Sequence, residues 1–357
     1  MNKNKQKTGT VLFTVLVLLS SFYLYHHLSS WLDLVTGTSC EAVTGLVILL
    51  LTGLLFRYSE RNLVAENRAL TLLTGFTAFA GIYLVMGWLA ADLISLFFSP
   101  DPLLTGWLVP AAVVFFAVAG MIQAGRISTI HYQVPGFGFN RRIILLSDLH
   151  IGYYVGTKQI RKIVDVVDAQ NADLVVIAGD MINDGNTLEC PEIRETELLL
   201  STLKSVQGVY ACGGNHDPDP QDPDFITFLD RSRIHLLQDE AVMVEGLQIA
   251  GRNTNIRPRK SLEEMDLKPA KTLLIDHDPA GIREAIDHGI DLVVCGHTHK
   301  GQIFPFQLFT RLVYSKSENY GMAVHDHTTS IVSSGAGVFS MPMRLGSRCE
   351  VVIIDLV

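Results

Sequence analysis

The chain has 357 residues, of which 48% are hydrophobic and 18% are charged, and its formal net charge is −8. Residues 1–125 hold only twelve of the 64 charged side chains and have no net charge, so the remaining residues carry the whole acidic balance. This split excludes a single soluble globule, a disordered chain and a secreted disulfide scaffold, and the acidic balance argues against electrostatic binding to nucleic acid.

Four apolar stretches in the first third predict a four-helix transmembrane region over residues 1–125. A spanning helix needs about 20 apolar residues, and the second stretch is shorter than that. None of the stretches has a charged residue well inside it, which favours an anchor or a lipid-side platform over a transporter. The four stretches are residues 11–25, 42–56, 71–91 and 103–122.

The charges between these stretches predict that both chain ends, and the domain that follows, face the cytoplasm. Basic residues recur on one side only, as the positive-inside rule expects. The first stretch has an alternative interpretation as a cleavable signal peptide. The basic residues are Lys3, Lys5, Lys7, Arg57, Arg61, Arg68, Arg126, Arg141 and Arg142, whereas Asp33, Glu41, Asp92 and Asp101 lie on the other side.

Residues 126–140 are interpreted as a linker, containing a short strand and turn, that leads to a soluble domain at 141–357. In that domain five short apolar runs each end in a polar cluster, and amphipathic helical patterns lie between them. Strand–helix alternation indicates an α/β domain, and sites in such sheets form beyond the carboxyl ends of the strands. The five runs are residues 143–146, 174–178, 209–212, 273–275 and 292–295.

The polar clusters are rich in Asp, His and Asn, which predicts a metal site. One tetrahedral zinc needs three or four ligands, so a larger set favours two metals that share a carboxylate. The oxygen and imidazole mixture suits Mn, Fe, Zn or Co, and the five cysteines are expected to be reduced rather than ligands. The seven candidate ligands are Asp148, His150, Asp180, Asn215, His277, His297 and His299.

Two neighbouring metal ions activate a bridging water and stabilise the entering and leaving oxygens of a displacement at phosphorus. The leaving oxygen needs a proton, and His216, beside Asn215, is the candidate general acid. The predicted chemistry is therefore hydrolysis of a phosphoester or pyrophosphate by a metal-bridging hydroxide.

The ordered motifs resemble the bacterial membrane-associated branch of the calcineurin-like metallophosphoesterase superfamily. The resemblance covers residues 140–357 and rests on five blocks: Asp148-x-His150, Gly179-Asp180, Gly214-Asn215-His216-Asp217, His277 and Gly296-His297-x-His299. The series Gly335-x-Gly337, Pro342-x-Arg344 and Glu350 extends it.

The resemblance implies two packed β-sheets flanked by helices in a four-layer sandwich. It also implies that Asp148, His150 and His299 hold one metal, that Asn215, His277 and His297 hold the other, and that Asp180 bridges them. His216 would act on the leaving group. The sequence departs from many relatives at two positions. Many relatives have Asp where this chain has Asn183, and here an aspartate, Asp184, comes one residue later. Relatives often have Gly where this chain has Lys300.

Several other polar residues have less specific interpretations. Arg344 either clamps a substrate phosphate or pairs with Glu350, and Lys300 is either a solvated lysine or a phosphate contact. His325 and His327 copy the ligand spacing but are expected in a hairpin turn. Arg252, Asn253 and Asn255 could approach the site, although nothing in the local sequence assigns them to it. Asp217 and Asp278 have two open interpretations: a cap or a hydrogen bond that supports a ligand histidine, and a direct role in the site.

Two functional hypotheses follow from the sequence. The first is a membrane-anchored, dinuclear metal-dependent phosphohydrolase acting on a phosphorylated small molecule or a lipid-linked phosphate at the bilayer. The alternative is a non-enzymatic membrane protein whose domain binds or senses metal. Neither the anchor nor the family fixes the substrate.

Overall fold

The computed structural model describes residues 3–59, 67–183, 185–254 and 259–357. The chain forms two compact units, residues 1–119 and 120–357. Arg61, Asp184 and Asn255, which the sequence analysis singles out, lie outside the described residues.

The first unit is helical, as predicted. Among the described residues three segments are long and apolar enough to cross a membrane, namely Val11–Thr36, Arg68–Ser95 and Pro102–Ala124, while Glu41–Phe56 is shorter. Asn67 begins the third helix, where its side chain accepts hydrogen bonds from the backbone N–H groups of Ala69 and Leu70. The helices are α1 (Lys3–Thr36), α2 (Glu41–Ser59), α3 (Arg68–Ser95) and α4 (Pro102–Ala124).

The second unit alternates strands and helices, and its elements are numbered along the chain. The strands are β1 (Ile127–Val134), β2 (Arg141–Leu146), β3 (Leu174–Ala178), β4 (Val209–Cys212), β5 (Ile234–Leu236), β6 (Glu240–Val244), β7 (Leu247–Arg252), β8 (Thr272–Asp276), β9 (Leu292–Cys295), β10 (Gly321–His325), β11 (Thr328–Val332) and β12 (Cys349–Leu356). The helices are α5 (Thr157–Asp168), α6 (Ile193–Leu200), α7 (Pro223–Ser232), α8 (Ile282–Asp287), α9 (Phe306–Val313) and α10 (Lys316–Asn319).

The strands form two six-stranded mixed sheets. The first has the order β1-β12-β2-β3-β4-β5 and the second the order β10-β11-β9-β8-β7-β6. Strands β2 to β5 are parallel in the first sheet, as are β7, β8, β9 and β11 in the second. The five predicted apolar runs are β2, β3, β4, β8 and β9, and they occupy the interior of both sheets.

The predicted linker contains a strand of the first sheet. Strand β1 pairs in parallel with β12 from Ile127 to Val134, so residues 127–134 are part of the folded domain. Strand β12 lies between β1 and β2, so β1 is the edge strand on this side of the sheet.

Three apolar clusters show that the domain has four layers, as the resemblance implies. One cluster lies between the two sheets and includes Leu145 and Ile275. A second packs the first sheet against helices, because α5 buries Ile160, Ile163, Val164 and Val167 along one face. The third packs Ile282 and Ala285 of α8 against the second sheet.

A buried ion-pair network supports the end of β8, next to a candidate ligand. Asp276 is fully buried and lies 3.0 Å from Arg259 Nη1 and 3.5 Å from Arg252 Nε. Arg252 also pairs with Glu284 at 2.7 Å. Arg252 therefore has a role in stabilising the fold.

Replacing Asp276 with alanine is expected to lower the free energy of unfolding by about 3–5 kcal/mol, because it leaves Arg252 buried with one partner fewer. Urea unfolding of the full chain in detergent, followed by circular dichroism, measures the loss. The matched control is Asp266→Ala, which removes an exposed partner of Lys268 and should change little. Equal losses in the two variants would contradict the role assigned to the network.

Candidate metal centre

The polar clusters that follow five interior strands meet at one place. Asp148, Asp180 and Asn215 follow β2, β3 and β4 of the first sheet, and His277 and His297 follow β8 and β9 of the second. Short distances between these side chains, given below, show that both sheets contribute to one site. This convergence was predicted from the strand-end positions alone.

Several of these residues have left-handed backbone conformations. The φ angles are +50° for Asp148, +46° for His150, +51° for Asp180, +69° for His297 and +49° for His299. Non-glycine residues rarely adopt positive φ, and such strained positions concentrate at functional sites. The sharp turn after each strand directs the side chain into the site.

One group of ligands consists of Asp148, His150 and His299. Their ligand atoms lie within 4.8 Å of one another, and all three residues are buried. His150 Nε2 is 3.1 Å from His299 Nε2, and His299 Nε2 is 3.4 Å from Asp148 Oδ1. Three electron-pair donors that converge in a buried space fit a divalent cation.

The second group consists of Asp180, His277 and His297, whose ligand atoms also lie within 4.8 Å of one another. His277 Nε2 is 3.2 Å from His297 Nδ1 and 3.2 Å from Asn215 Oδ1. The side chain of Asn215 therefore joins this group, as the resemblance implies.

Asp180 lies between the two groups. Its Oδ2 is 3.2 Å from His277 Nε2 and 3.7 Å from His150 Nε2. Its other oxygen, Oδ1, accepts a hydrogen bond of 2.8 Å from the backbone N–H of His216. The carboxylate is thus oriented by the backbone and can contact ions in both groups.

Backbone groups also orient the ligands. His277 Nδ1 is 2.8 Å from the carbonyl oxygen of Ala178, so Nδ1 carries the proton and Nε2 faces the site. Both oxygens of Asp148 accept from the backbone N–H of His297, at 3.0 and 3.1 Å. This bond ties the end of β2 to the end of β9 across the two sheets.

Gly214, just before Asn215, lies so close to Asp180 that there is no room for a side chain. A Cβ atom at Gly214 would lie 2.1 Å from Asp180 Oδ1 and 2.3 Å from Asp180 N. Any larger residue would displace the Asp180 carboxylate, so the sequence needs glycine there. Asp217 fixes the same loop, because its carboxylate accepts from Gly214 N at 2.8 Å and from Ile182 N at 2.9 Å.

The electrostatics of the site favour positive charge beside Asp180. Burial by itself would lower the pKa of His277, but the Asp180 carboxylate raises it to about 10. Burial would likewise raise the pKa of Asp180, yet the neighbouring His277 holds it well below its usual range. Burial lowers the pKa of His150 to about 3 and also lowers that of His299, so both rings are neutral electron-pair donors.

His216 lies at the edge of the ligand cluster with its ring against an aromatic residue. The His216 and Phe339 rings are 4.5 Å apart, and the His216 and His150 rings are 5.3 Å apart. His216 is half-buried, so its ring has access to a substrate beside the ligands. Its position fits the predicted role in protonating a leaving oxygen.

Phe339 is a site residue that the sequence analysis missed. Its ring also lies 5.1 Å from His150, and its backbone is held by the amide of Gln302 through two hydrogen bonds of 2.8 Å. An aromatic ring over neutral imidazoles excludes water from that side of the site. Residue spacing offered no signal, because Phe339 lies in the loop between β11 and β12, outside the polar clusters that follow the five apolar runs.

Arg344 lies behind the first ligand group. It is fully buried, and its guanidinium donates to the carbonyl oxygens of Gly337 at 2.7 Å and His299 at 3.1 Å, and to Ser347 Oγ at 3.2 Å. These contacts indicate that Arg344 holds His299 in position. The substrate contact expected from the sequence remains a prediction.

Replacing Arg344 with lysine is expected to weaken metal binding about 10- to 100-fold, because the lysine cannot hold the His299 segment through several bonds. With metal in excess, KM should stay near the wild-type value. Metal titration and steady-state kinetics separate the two effects, and exposed Arg348→Lys is the control. A raised KM with unchanged metal affinity would instead assign Arg344 to substrate binding.

Other polar residues have mainly structural contacts. Lys300 Nζ lies 4.0 Å from the centre of the Tyr320 ring, and burial lowers its pKa. Asp278 caps the turn after His277 by accepting from Ala280 N at 3.0 Å, as predicted. His325 ends β10 and His327 lies in the turn before β11, so the expected hairpin is confirmed. Glu350 accepts from Tyr320 and Ser334 rather than pairing with Arg344.

Comparisons with known proteins agree with this site. The calcineurin-like phosphoesterase family matches residues 141–301. An uncharacterized metallophosphoesterase of Helicobacter pylori is 33% identical over 227 residues, which cover 60% of this chain and 59% of that protein. A transmembrane protein with metallophosphoesterase domain from Danio rerio is 29% identical over 273 residues, which cover 70% and 61%.

An uncharacterized metallophosphoesterase of Aquifex aeolicus is 29% identical over 241 residues, which cover 64% of this chain and 89% of that protein. The chain thus spans about three fifths of the Helicobacter and Danio proteins. Residues 141–301, which match the family, contain every residue of the two ligand groups. With the four-layer fold and these groups, the match shows that residues 141–301 belong to a calcineurin-like phosphoesterase domain.

Proposed function

We propose that the chain is a membrane-anchored phosphohydrolase that uses two divalent metal ions to cleave a phosphoester or a pyrophosphate. The observation that supports it most directly is the pair of ligand groups on either side of Asp180. The residues fit such ions, because imidazole nitrogens and carboxylate oxygens converge there in two groups. Mn, Fe, Zn and Co all suit this donor set.

When bound, the two ions would activate water and neutralise charge on the phosphate oxygens. The protein would hold them through Asp148, His150 and His299 on one side, through Asn215, His277 and His297 on the other, and through Asp180 between them. Backbone bonds to Asp180, His277 and Asp148 fix the ligands before substrate arrives. Such preorganisation avoids rearrangement during the reaction.

His216 would donate a proton to the departing oxygen. Its backbone N–H bonds to Asp180 Oδ1, so its position depends directly on the carboxylate between the two groups. Its ring lies against Phe339. This arrangement allows His216 to face the leaving group while the other four histidines of the site serve as metal ligands.

The anchor would be the apolar helices of the first unit, with the domain on the cytoplasmic side. Three described segments have the length and composition to span a membrane, and basic residues recur at one side of the spans. The Danio rerio relative is named as a transmembrane protein. A phosphate on a lipid is therefore an attractive substrate, and a soluble phosphorylated molecule is the alternative.

The test is hydrolysis by the purified full chain of a phosphomonoester, a phosphodiester and a pyrophosphate, each in soluble and lipid-linked form. We expect two metals per chain, loss of activity with a chelator, and recovery when Mn, Fe, Zn or Co is added back. A metal-replete protein that is inert toward every substrate would favour the non-enzymatic metal-binding or sensing module instead.

A further inference from the structure

Helix α9 leaves its apolar side chains uncovered. None of its eight residues is buried, and Phe309, Leu312 and Val313 are 57%, 83% and 76% exposed. Phe304, just before the helix, is also exposed. Contiguous exposed apolar surface of this kind marks a site of interaction with a protein or a membrane.

Helix α9 is amphipathic. Its apolar residues occupy one broad arc, whereas Gln307, Thr310 and Arg311 occupy the other. A short helix with bulky apolar residues on one side and a basic residue on the other is typical of helices that lie in the surface of a bilayer. A helix packed into a domain core would have its apolar arc buried.

Contacts within the second unit connect α9 to the end of helix α4. Phe304 N and Gln307 Nε2 both donate to the carbonyl oxygen of Leu345, at 3.0 and 2.6 Å. The adjacent Arg344 donates its backbone N–H to the carbonyl oxygen of Gly120 at 3.0 Å. Gly120 belongs to α4 and also to the second unit.

This connection limits the distance between α9 and a bilayer that α4 would enter. Helix α4 ends at Ala124 and β1 begins at Ile127, so the intervening chain reaches about 10 Å at most. If α4 spans the membrane, the segment that holds α9 must lie beside the membrane surface.

The charge around α9 complements an anionic bilayer. Arg311 in the helix and Lys316 just after it are exposed. The nearby carboxylate of Glu318 is engaged with the backbone N–H of Ser315 at 3.1 Å. Basic residues near an anionic membrane surface strengthen binding to it.

Helix α9 is close in sequence to a metal ligand and to a neighbour of another ligand. It follows the turn that contains His299, and it precedes Tyr314, whose ring lies 6.2 Å from that of His297. A membrane surface in contact with α9 would therefore bring lipid phosphates close to the ligand groups.

We propose that Phe304 and the apolar arc of α9 insert into the boundary between headgroups and acyl chains of an anionic bilayer, which places the metal centre at the height of lipid phosphates. The proposal rests on the membrane anchoring proposed above. The surface would therefore contact the bilayer. The test must distinguish this contact from binding to a second copy of the chain.

The test places an environment-sensitive fluorophore at Leu312→Cys in the full chain, reconstituted in nanodiscs of phosphatidylcholine and phosphatidylglycerol. Cys40→Ser provides the background, because the other four cysteines, Cys190, Cys212, Cys295 and Cys349, are buried. We expect a blue-shifted emission that lipids with a spin label near the headgroup quench. Val206→Cys is the matched control, since Val206 is also 83% exposed, and its probe should stay unquenched.

Emission at position 312 that spin-labelled lipids do not quench would overturn the proposal. A blue shift without lipid quenching, accompanied by energy transfer between labelled chains, would assign the surface to a second copy. Quenching is measured without any substrate, so it tests the membrane contact independently of the proposed hydrolase activity.

A second arm uses the Phe309→Glu, Leu312→Glu double variant. We expect it to lose hydrolysis of phosphatidic acid in the nanodisc while it retains hydrolysis of p-nitrophenyl phosphate. Equal loss on both substrates would indicate a damaged site, and unchanged lipid hydrolysis would contradict the role of α9. If wild type hydrolyses no substrate of the panel described under the proposed function but position 312 is quenched, the proposed function fails and the membrane contact stands.

Discussion

Asp180→Asn is expected to abolish the dinuclear site and to lower phosphoester hydrolysis by at least about a hundred-fold. The amide has nearly the same shape as the carboxylate and can still accept the backbone N–H of His216 through Oδ1. Its NH₂ group would then face His277 and His150, where Asp180 Oδ2 now lies. Donors would replace the negative charge between the two ligand groups, so cation binding should weaken.

Metal analysis of the purified full chain, together with turnover of a chromogenic phosphoester, measures both effects. Asp173→Asn is the matched control, because Asp173 also accepts a backbone N–H, from Arg142 at 2.7 Å, but precedes β3 instead of following it. The control should retain two metals and full activity. If Asp180→Asn also retained both, Asp180 would not be the shared ligand.

The strand-end pattern made much of the site predictable from sequence. Strands β3, β4 and β9 begin and end where their apolar runs do, and their polar clusters follow at once. Parallel strands present their carboxyl ends on one edge, so local sequence is enough to bring these side chains together.

Sheet edges and long-range pairing were not predictable in the same way. Strand β12 lies between β1 and β2 although more than 200 residues separate it from them in sequence. Its apolar run looks like any other buried strand, and only tertiary contact decides its neighbours. For the same reason the segment of β1 was interpreted as a linker.

Residues that act through other residues were also beyond local sequence. Arg344 was interpreted as a phosphate clamp or a partner of Glu350, and its bonds to the backbone behind His299 had no local signal in the sequence. A contact between Arg344 and substrate remains a prediction. The exposed apolar side of α9 was not predicted either, because sequence alone does not show which side chains the neighbouring elements cover. Its exposure becomes visible only when the neighbouring elements are in place.

Replacing His216 with glutamine is expected to lower kcat about 10²- to 10⁴-fold while two metals remain bound. The side chain of His216 is not among the ligand groups, and the bond to Asp180 comes from its backbone. Glutamine keeps that backbone bond and cannot deliver a proton as an acid. Metal content should therefore separate this variant from Asp180→Asn.

The loss should depend on the leaving group if His216 protonates it. A p-nitrophenyl ester departs without much help, so its hydrolysis should fall less than that of an alkyl ester, whose oxygen needs the proton. His235→Gln is the control, since His235 packs on Tyr210 of β4, away from the ligands, with ring centres 5.3 Å apart. An equal loss for both esters would indicate that His216 orients Asp180 or Phe339 instead, because a structural defect slows every substrate regardless of its leaving group.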